Sequence, residues 1–308
     1  MQSQKGYEII TDHRNGQRLA IHLSTGEVMR AVPVEVPEGT IFYTPEQQAE
    51  YRERKRIEDE RRMKEAMLAM QNDALGYYYF ATTERDFDCI TPTTLARLIY
   101  LCTYLRYDSG FLYLTRRTPM RERDLLEVLK LSRNTVAAFV REVSAFLTVL
   151  EDGRLSVDTD AFHRGALPKG KHDCFQRVYI ETVRKLYHST PPCKHRYLGY
   201  IFLMLPYVNA EHNILCFNPE ETDLENVRAI TLLDFCHAIN YDVSHAARLR
   251  KEYAKISCVV NGRAEKFCSF VFDGGNPNNS RIFINPHVLY CGKDYAHVEI
   301  LGAFCKDT

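Results

Sequence analysis

The chain has 308 residues and a formal net charge of zero, because 40 lysine and arginine residues balance 40 aspartate and glutamate residues. This balance excludes net charge as an argument for a nucleic-acid partner, so any such argument must rest on local charge. The length predicts about two domains, and no apolar run reaches the roughly 18 residues that a membrane-spanning helix needs.

The cysteines and the first residues indicate the compartment. Ten cysteines lie at irregular spacings in a chain that is long enough to fold around a hydrophobic core. We therefore expect reduced thiols and not a disulfide framework. Residues 1–5 lack the apolar segment of a signal peptide, so we expect a cytoplasmic protein without a membrane partner.

Residues 1–44 are predicted to form an N-terminal β-hairpin segment. Two strand-like runs, Tyr7–Ile10 and Arg18–Leu23, flank the dipeptide Asn15-Gly16. This dipeptide is typical of a two-residue hairpin turn, because both of its residues tolerate a positive φ. The two runs should therefore pair as antiparallel strands.

Residues 45–90 are predicted to form a charged connector helix and a linker. Thr44 fits an N-cap and Pro45 fits the first helical position, which predicts a helix from there to about Ala74. Charges of both signs alternate between Tyr51 and Glu65, and the apolar stripe is thin. This pattern favours a solvated, salt-bridged helix. A short coiled coil and a contact with the DNA backbone are the alternatives.

From Thr91 onward the chain carries two copies of one pattern. A shift of 100 residues aligns an amphipathic helix in Thr93–Tyr107 with one in Lys194–Tyr207, and a shift of 107 residues aligns two later pairs of helices. The two shifts together pair Leu98 with Leu198, Leu125 with Leu232 and Val136 with Val243. Their difference of seven residues predicts one insertion in the second copy, in the acidic loop Asn218–Asp223.

Each copy continues with a helix–turn–helix pattern and a β-hairpin pattern. The segments are Arg121–Leu129, Arg133–Phe146 and a hairpin turning at Asp152-Gly153 in the first copy, and Ile230–Ile239, Val243–Ile256 and the strands Phe267–Phe272 and Arg281–Ile284 in the second. This order of elements is typical of a winged-helix domain. The predicted fold is α+β, mostly α, with winged-helix domains at residues 91–170 and, after a linker helix, within 171–308. They follow the N-terminal β-hairpin and the charged connector helix.

The second helix of each helix–turn–helix pattern is predicted to enter the major groove of DNA. Arginine and asparagine side chains on its exposed face suit hydrogen bonds with guanine and adenine edges, and cations in the loops suit phosphates. The expected DNA-binding residues are Arg116, Arg117, Arg121, Arg133, Asn134, Arg141, Arg154, Lys169, Lys171, Ser244, His245, Arg248, Lys251 and Lys255. Phosphate contacts are also expected from the basic segment between the copies, residues 164–196.

Motifs for catalysis and for metal binding are incomplete. The segment Gly165–Lys171 has the spacing of a phosphate-binding loop, but His172 stands where Ser or Thr must hold Mg²⁺. The sequence has no His-x-His pair of the relaxase type and no Cys-x-x-Cys pair for zinc. We expect no catalytic residue, no metal and no cofactor, and therefore a protein that is not an enzyme.

The tandem order of elements resembles plasmid and phage replication initiators (Rep-like proteins) and related winged-helix proteins of mobile elements. Thr91–Gly165 and Lys194–Gly292 carry the resemblance, and Leu131–Val136 resembles the turn of MarR-like regulators. The resemblance implies binding to repeated or palindromic duplex sites, dimerisation during autorepression, and recruitment of host replication proteins. The neutral net charge and residues 1–90 depart from the family pattern.

The expected function is sequence-specific binding of double-stranded DNA by a replication initiator, with host replication proteins as further partners and a homodimer as one assembly. A winged-helix transcriptional regulator or autorepressor is the first alternative, and genomic context separates the two. Direct repeats at an origin favour the initiator, whereas a lone palindromic operator favours the regulator. The second alternative is a phage- or element-encoded interaction module or inhibitor, which would bind no DNA even at low salt.

Overall fold

The computed structural model describes residues 7–11, 18–31, 45–81, 87–167, 175–260, 262–271, 280–290 and 292. The chain divides into two compact units, Met1–Ile57 and Glu58–Thr308. Within the described residues it is α+β, with eight α-helices and small antiparallel sheets, which confirms the predicted class. None of these helices combines the length and the apolar character that crossing a membrane requires.

The first unit contains a three-stranded antiparallel sheet. Its strands are β1 (Tyr7–Thr11), β2 (Arg18–His22) and β3 (Val28–Ala31), in the order β1-β2-β3. β1 pairs antiparallel with β2, so the predicted hairpin is confirmed, although its Asn15-Gly16 turn lies outside the described residues. β3 extends the hairpin by a strand that the sequence analysis did not separate. Gly26, in the turn before β3, adopts a φ of 66°, a conformation that costs glycine little.

Helix α1 (Pro45–Leu75) begins at the predicted proline and extends for 31 residues. Ion pairs one turn apart line its exposed surface. Arg62 lies 2.6 Å from Glu58, and Lys64 lies 2.7 Å from Glu60. Each such pair stabilises a helix by only about 0.5 kcal/mol. The prediction of an exposed, salt-bridged helix is confirmed, and the last turns of the helix bury leucine side chains in the core of the second unit.

Residues 77–163 form the first module of the second unit. Its elements are β4 (Tyr77–Ala81), α2 (Pro92–Cys102), α3 (Leu125–Leu129), α4 (Arg133–Glu142), β5 (Leu147–Val149), β6 (Leu155–Val157) and β7 (Phe162–His163). The Thr91 hydroxyl caps α2 by accepting a hydrogen bond from the Thr94 N–H, and Pro92 fits the first helical position. The predicted apolar stripe of α2 is buried, including Leu95 and Leu98.

Residues 175–290 form the second module. Its elements are β8 (Phe175–Tyr179), α5 (Ile180–Ser189), α6 (His195–Leu203), α7 (Leu232–Ala238), α8 (Ala246–Tyr253), β9 (Ser257–Val260), β10 (Arg263–Lys266), β11 (Cys268–Val271), β12 (Arg281–Ile284) and β13 (Leu289–Tyr290). A 3₁₀ turn, Val243–His245, leads into α8. The β9–β10 hairpin has no counterpart in the first module, where β5 follows α4 directly.

The two modules repeat the same strand pairings. The bridge Leu105–Leu112 recurs as Val208–Leu215, at a shift of 103 residues. In the β5–β6 and β11–β12 hairpins, the residue pairs farthest from the turn are equivalent as well. They are Leu147–Val157 in the first module and Cys268–Ile284 in the second. The duplication predicted from the sequence is therefore confirmed as a repeat of structure.

The predicted register of the repeat is wrong by three residues in both helical regions. α2 maps onto α6 at a shift of 103, and the left-handed residues Lys130 and Asn240, which end α3 and follow α7, match at a shift of 110. A slip of three residues is almost one helical turn, so it preserves the apolar stripe and periodicity cannot detect it. The difference of seven residues is confirmed, because the loop between Cys216 and Ala229 is longer by that number than the loop between Tyr113 and Pro119.

A central four-stranded sheet joins the modules, in the order β13-β8-β4-β7. β4 and β8 are antiparallel, and Tyr79 lies opposite Arg177 at the centre of their pairing. β7 pairs with β4 as β13 pairs with β8. The pairing register therefore relates the two modules by an approximate two-fold axis through the Tyr79–Arg177 pair.

Helices α2 and α6, which this two-fold axis interchanges, pack against each other. A Cβ atom at Gly199 of α6 would lie 1.7 Å from the carbonyl oxygen of Pro92 of α2. Glycine is therefore required at this position by the close approach of the two backbones. At the equivalent position of α2 the chain carries Ala96, which is buried.

Candidate nucleic-acid interface

Helix α4 presents the predicted reading face to solvent. Lys130, in a left-handed conformation, ends α3, and the Ser132 hydroxyl accepts a hydrogen bond from the Thr135 N–H (3.3 Å) to start α4. The helix buries Val136 and Phe139, as predicted. Its opposite face exposes Arg133, Asn134, Ala137, Ala138 and Arg141.

The cations of this face are not engaged in ion pairs. Among the residues that the structure describes, no carboxylate lies within ion-pair distance of Arg133 or Arg141. Arg141 instead donates through Nε to the Ala137 carbonyl of its own helix (3.3 Å). The small side chains of Ala137 and Ala138 allow the backbone of α4 to approach a partner closely. The face can therefore bind a polyanion and hydrogen-bond planar acceptor groups.

Four other predicted cations lie in the loop before α3 or in the β5–β6 hairpin: Arg116, Arg117, Arg121 and Arg154. A bridge between Arg121 and Arg154 joins the two segments. The Arg154 side chain is engaged within the fold, because Nε lies 2.5 Å from the Asp152 carboxylate and the guanidinium lies 5.1 Å from the Phe111 ring centroid. Hydrogen bonds from the backbone and side chain of Arg154 lower the pKa of Asp152.

The exposed face of α8 is basic too, but its start differs. The Asp242 carboxylate accepts a hydrogen bond from the Ser244 N–H (2.9 Å) and lies 3.6 Å from Nδ1 of His245. An acid therefore stands where α4 has the neutral Ser132. Within the described part of the chain, Arg248 and Lys251 form no ion pair with a carboxylate. All five predicted residues of this region are exposed: Ser244 and His245 in the 3₁₀ turn, Arg248 and Lys251 in α8, and Lys255 after the helix.

The basic segment between the copies is largely used inside the fold. Five of its cations make intramolecular contacts: Arg164 with the Leu105 carbonyl, Arg177 with the Gly292 carbonyl, Arg184 with Thr103, Lys194 with Glu252 and Arg196 with the Tyr197 hydroxyl. Lys169 and Lys171 lie outside the described residues. Phosphate binding by this segment therefore stays a prediction for those two lysines and for Lys185, which is exposed on α5. The five engaged cations make contacts within the fold.

Two glutamates that the sequence analysis did not single out hold the ends of α4 and of α8. Glu142 accepts a hydrogen bond from the Thr91 N–H (2.5 Å), and Glu252 accepts one from Nζ of Lys194 (2.5 Å). Each glutamate lies ten residues after the residue that caps its helix start. This equal spacing is the signal that could have found them, but it is visible only at the correct register of the repeat.

Both glutamates titrate below the ordinary range. Partial burial raises the pKa of Glu142, but the hydrogen bonds from Thr91 and Thr94 and the charge of Arg97 outweigh it and lower the pKa overall. The hydrogen bond from Lys194 lowers the pKa of Glu252, with a further contribution from Lys255. Both side chains are therefore ionised at neutral pH.

Within the described residues, no group of three or more His, Cys, Asp or Glu side chains is placed to hold a metal ion. Comparison with family models, with curated proteins and with solved structures gave no match.

Proposed function

We propose that this protein binds double-stranded DNA at specific sequences, with α4 and α8 as its two recognition helices. The observation that carries the proposal is the exposed face of α4, on which Arg133, Asn134 and Arg141 surround two alanines with no neutralising acid among the described residues. Arginine forms paired hydrogen bonds with guanine and asparagine forms them with adenine. A partner read by this face is a polyanion with planar base edges.

The surroundings of α4 support a winged-helix mode of binding. A short helix and a left-handed turn precede α4, and a hairpin follows it. That hairpin also pairs with the segments before α3, through the bridges Phe111–Ser156 and Arg121–Arg154. In this mode α4 enters the major groove and cations of the hairpin and of the loop before α3 contact phosphates.

The approximate two-fold axis suggests how one chain engages its site. A two-fold relation of two recognition helices suits two half-sites that run in opposite directions, as in the sites of two-fold dimers. The reading positions differ between the modules, because Asn134 corresponds to Ser244 and Arg133 corresponds to Val243 at the shift of 110 residues. We therefore expect an imperfect inverted repeat, and the first module should provide most of the base contacts.

The biological role that we propose for this binding is replication initiation at a plasmid- or phage-type origin. The resemblance of the tandem order of elements to Rep-like initiators supports it. Recruitment of host replication proteins follows from the same resemblance.

Fluorescence anisotropy on a random-sequence duplex, from about 50 to about 200 mM salt, tests the proposal. A protein that makes six or more phosphate contacts loses roughly a thousandfold in affinity over this range, because bound counterions are released from the DNA. The double variant Arg133→Ala/Arg141→Ala should flatten the salt dependence. Arg263→Ala, an exposed cation of β10 outside the predicted contacts, is the matched control and should leave it unchanged. Absence of binding at the lowest salt would overturn the proposal and favour a protein partner.

A further inference from the structure

The two recognition helices are held at the same point by glutamates of equivalent position. Glu142 is the last residue of α4, and Glu252 lies in the last turn of α8. The shift of 110 residues that superimposes the helix starts superimposes these two glutamates. Each reaches the start of one of the two helices that pack together between the modules, α2 for Glu142 and α6 for Glu252.

In the first module the partners of the carboxylate are neutral. Oε1 of Glu142 accepts from the Thr91 N–H at 2.5 Å, and Oε2 accepts from the Thr94 hydroxyl at 2.7 Å. Thr91 is also the N-cap residue of α2. The carboxylate therefore stands at the positive end of the α2 dipole, where a negative charge is stabilised.

In the second module the partners are ammonium groups. Nζ of Lys194 lies 2.5 Å from Oε2 of Glu252, Nζ of Lys255 lies 3.2 Å from Oε1, and the Glu252 side chain is 13% exposed. Lys194 immediately precedes α6 and lies over the Tyr197 ring, 5.3 Å from its centroid. The same contact between helices is thus made by hydrogen bonds from neutral donors in one module and by a partly buried ion pair in the other.

We propose that Glu142 and Glu252 are positioning residues for DNA readout, which fix the angle of α4 and of α8 against the paired α2 and α6 helices. This inference rests on the proposed function. α2 and α6 pack on each other across the two-fold axis, so each link ties a recognition helix to the part of the fold that sets the spacing of the two half-sites. A loosened helix keeps its cations but loses the fixed placement that paired hydrogen bonds with bases require.

The sign of the change in affinity for the specific site distinguishes a positioning role from simple repulsion between the glutamate and DNA phosphates. A glutamate close to DNA repels phosphates, so its removal by itself tightens binding to any duplex. Loss of a positioning residue weakens binding to the specific site and leaves non-specific binding intact. The two explanations therefore predict opposite changes in specific affinity for Glu142→Gln and Glu252→Gln.

The test uses the full chain and a duplex selected from a random library by the wild-type protein. Glu142→Gln and Glu252→Gln should each raise the Kd for that duplex about tenfold, the loss expected for a charge-assisted hydrogen bond, with an unchanged or lower Kd for random duplex. The exchanged pair Lys194→Glu/Glu252→Lys should recover part of the loss in the second module, because it restores the pair with residue 194 but places a like charge beside Lys255. Glu127→Gln, an exposed carboxylate of α3, is the matched control and should not weaken specific binding.

Equal or tighter specific binding by both glutamine variants would overturn the positioning role while leaving DNA binding intact. Hydrogen exchange of the protein without DNA, followed by mass spectrometry, distinguishes a failure of the positioning role from a failure of the proposed DNA binding. Glu142→Gln should speed exchange in α4 and not in α8, and Glu252→Gln should do the reverse. If the wild-type protein bound no DNA, the proposed function would fail, and unchanged exchange in both variants would remove the links as well.

Discussion

The two modules share one scheme of strand pairing, yet the loop before α3 in the first module is basic and the equivalent loop before α7 in the second is acidic. In the first module this loop lies between Tyr113 and Pro119 and exposes Arg116 and Arg117. The equivalent loop of the second module exposes acids and is fixed by polar contacts, including the Asn209 amide bonded to the Glu221 carbonyl (2.7 Å). Its acidic residues are Glu220, Glu221, Asp223 and Glu225. The duplication has kept the scaffold and changed the surface, which is why we assign the leading DNA contacts to the first module.

The second module also contains a buried polar cluster without a counterpart in the first. The added β9–β10 hairpin brings Glu265 to 2.8 Å from Nδ1 of His287, and the Asn285 amide donates to the same carboxylate (2.9 Å). All three side chains are buried. The cluster joins the β9–β10 hairpin to the segment that leads into β13. Buried polar contacts therefore hold this added hairpin against the rest of the second module.

The largest expected effect concerns the point where the two modules meet. Gly199→Ala should destabilise the protein by about 3 kcal/mol, because the new Cβ would overlap the Pro92 carbonyl and force α2 and α6 apart. Helix propensity alone predicts the opposite sign, a gain of about 1 kcal/mol. Urea unfolding followed by circular dichroism measures the difference.

The reciprocal change serves as the control. Ala96→Gly, at the equivalent position of α2, should cost only about 1 kcal/mol through lost helix propensity. A Gly199→Ala variant that is more stable than the wild type would show that the two helices do not approach as closely as described. In that case Gly199 and Ala96 would not mark a difference between the two modules at this contact.

An intermediate effect tests the division of DNA contacts between the modules. On a selected duplex, Arg133→Ala should raise the Kd at least about fivefold, because a base-reading arginine contributes about 1–3 kcal/mol. Arg248→Ala should raise it about threefold, as expected for a phosphate contact weakened by nearby acids. Anisotropy titrations at one salt concentration measure both, with Arg263→Ala as the control. Equal losses would show that both modules read bases to the same extent.

Much of this organisation can be predicted from the sequence, and the limits have physical causes. The apolar stripes of α2, α4 and α8 predict buried faces correctly, and the tandem repeat with its seven-residue insertion is visible in the spacing. The register could not be fixed, since a slip of three residues preserves a helical stripe. The strand β4 was missed as well, because Tyr77–Ala81 follows a long helix and its partners β7 and β8 lie far along the chain. Likewise, the link from Glu142 to Thr91 joins residues 51 positions apart, which no local pattern reveals.

The smallest expected effect is on the free energy of unfolding, whose dependence on pH and salt distinguishes the contacts of Glu142 from those of Glu252. The pKa of each glutamate is lowered in the folded protein, so the stability from each link is present at neutral pH and is lost as the pH falls through the folded-state pKa. The difference in unfolding free energy between the wild type and Glu142→Gln should therefore vanish in acid, and likewise for Glu252→Gln. At neutral pH, added salt should narrow the difference for Glu252→Gln more than the difference for Glu142→Gln. Ions screen the pairs of Glu252 with Lys194 and Lys255, whereas the hydrogen-bond donors to Glu142 are neutral and only the charge of Arg97 acts on it in addition. Urea titrations across pH and salt, with Glu127→Gln as the control, measure both dependences. A difference for Glu142→Gln that stays constant with pH would mean that its carboxylate is not held by Thr91 and Thr94.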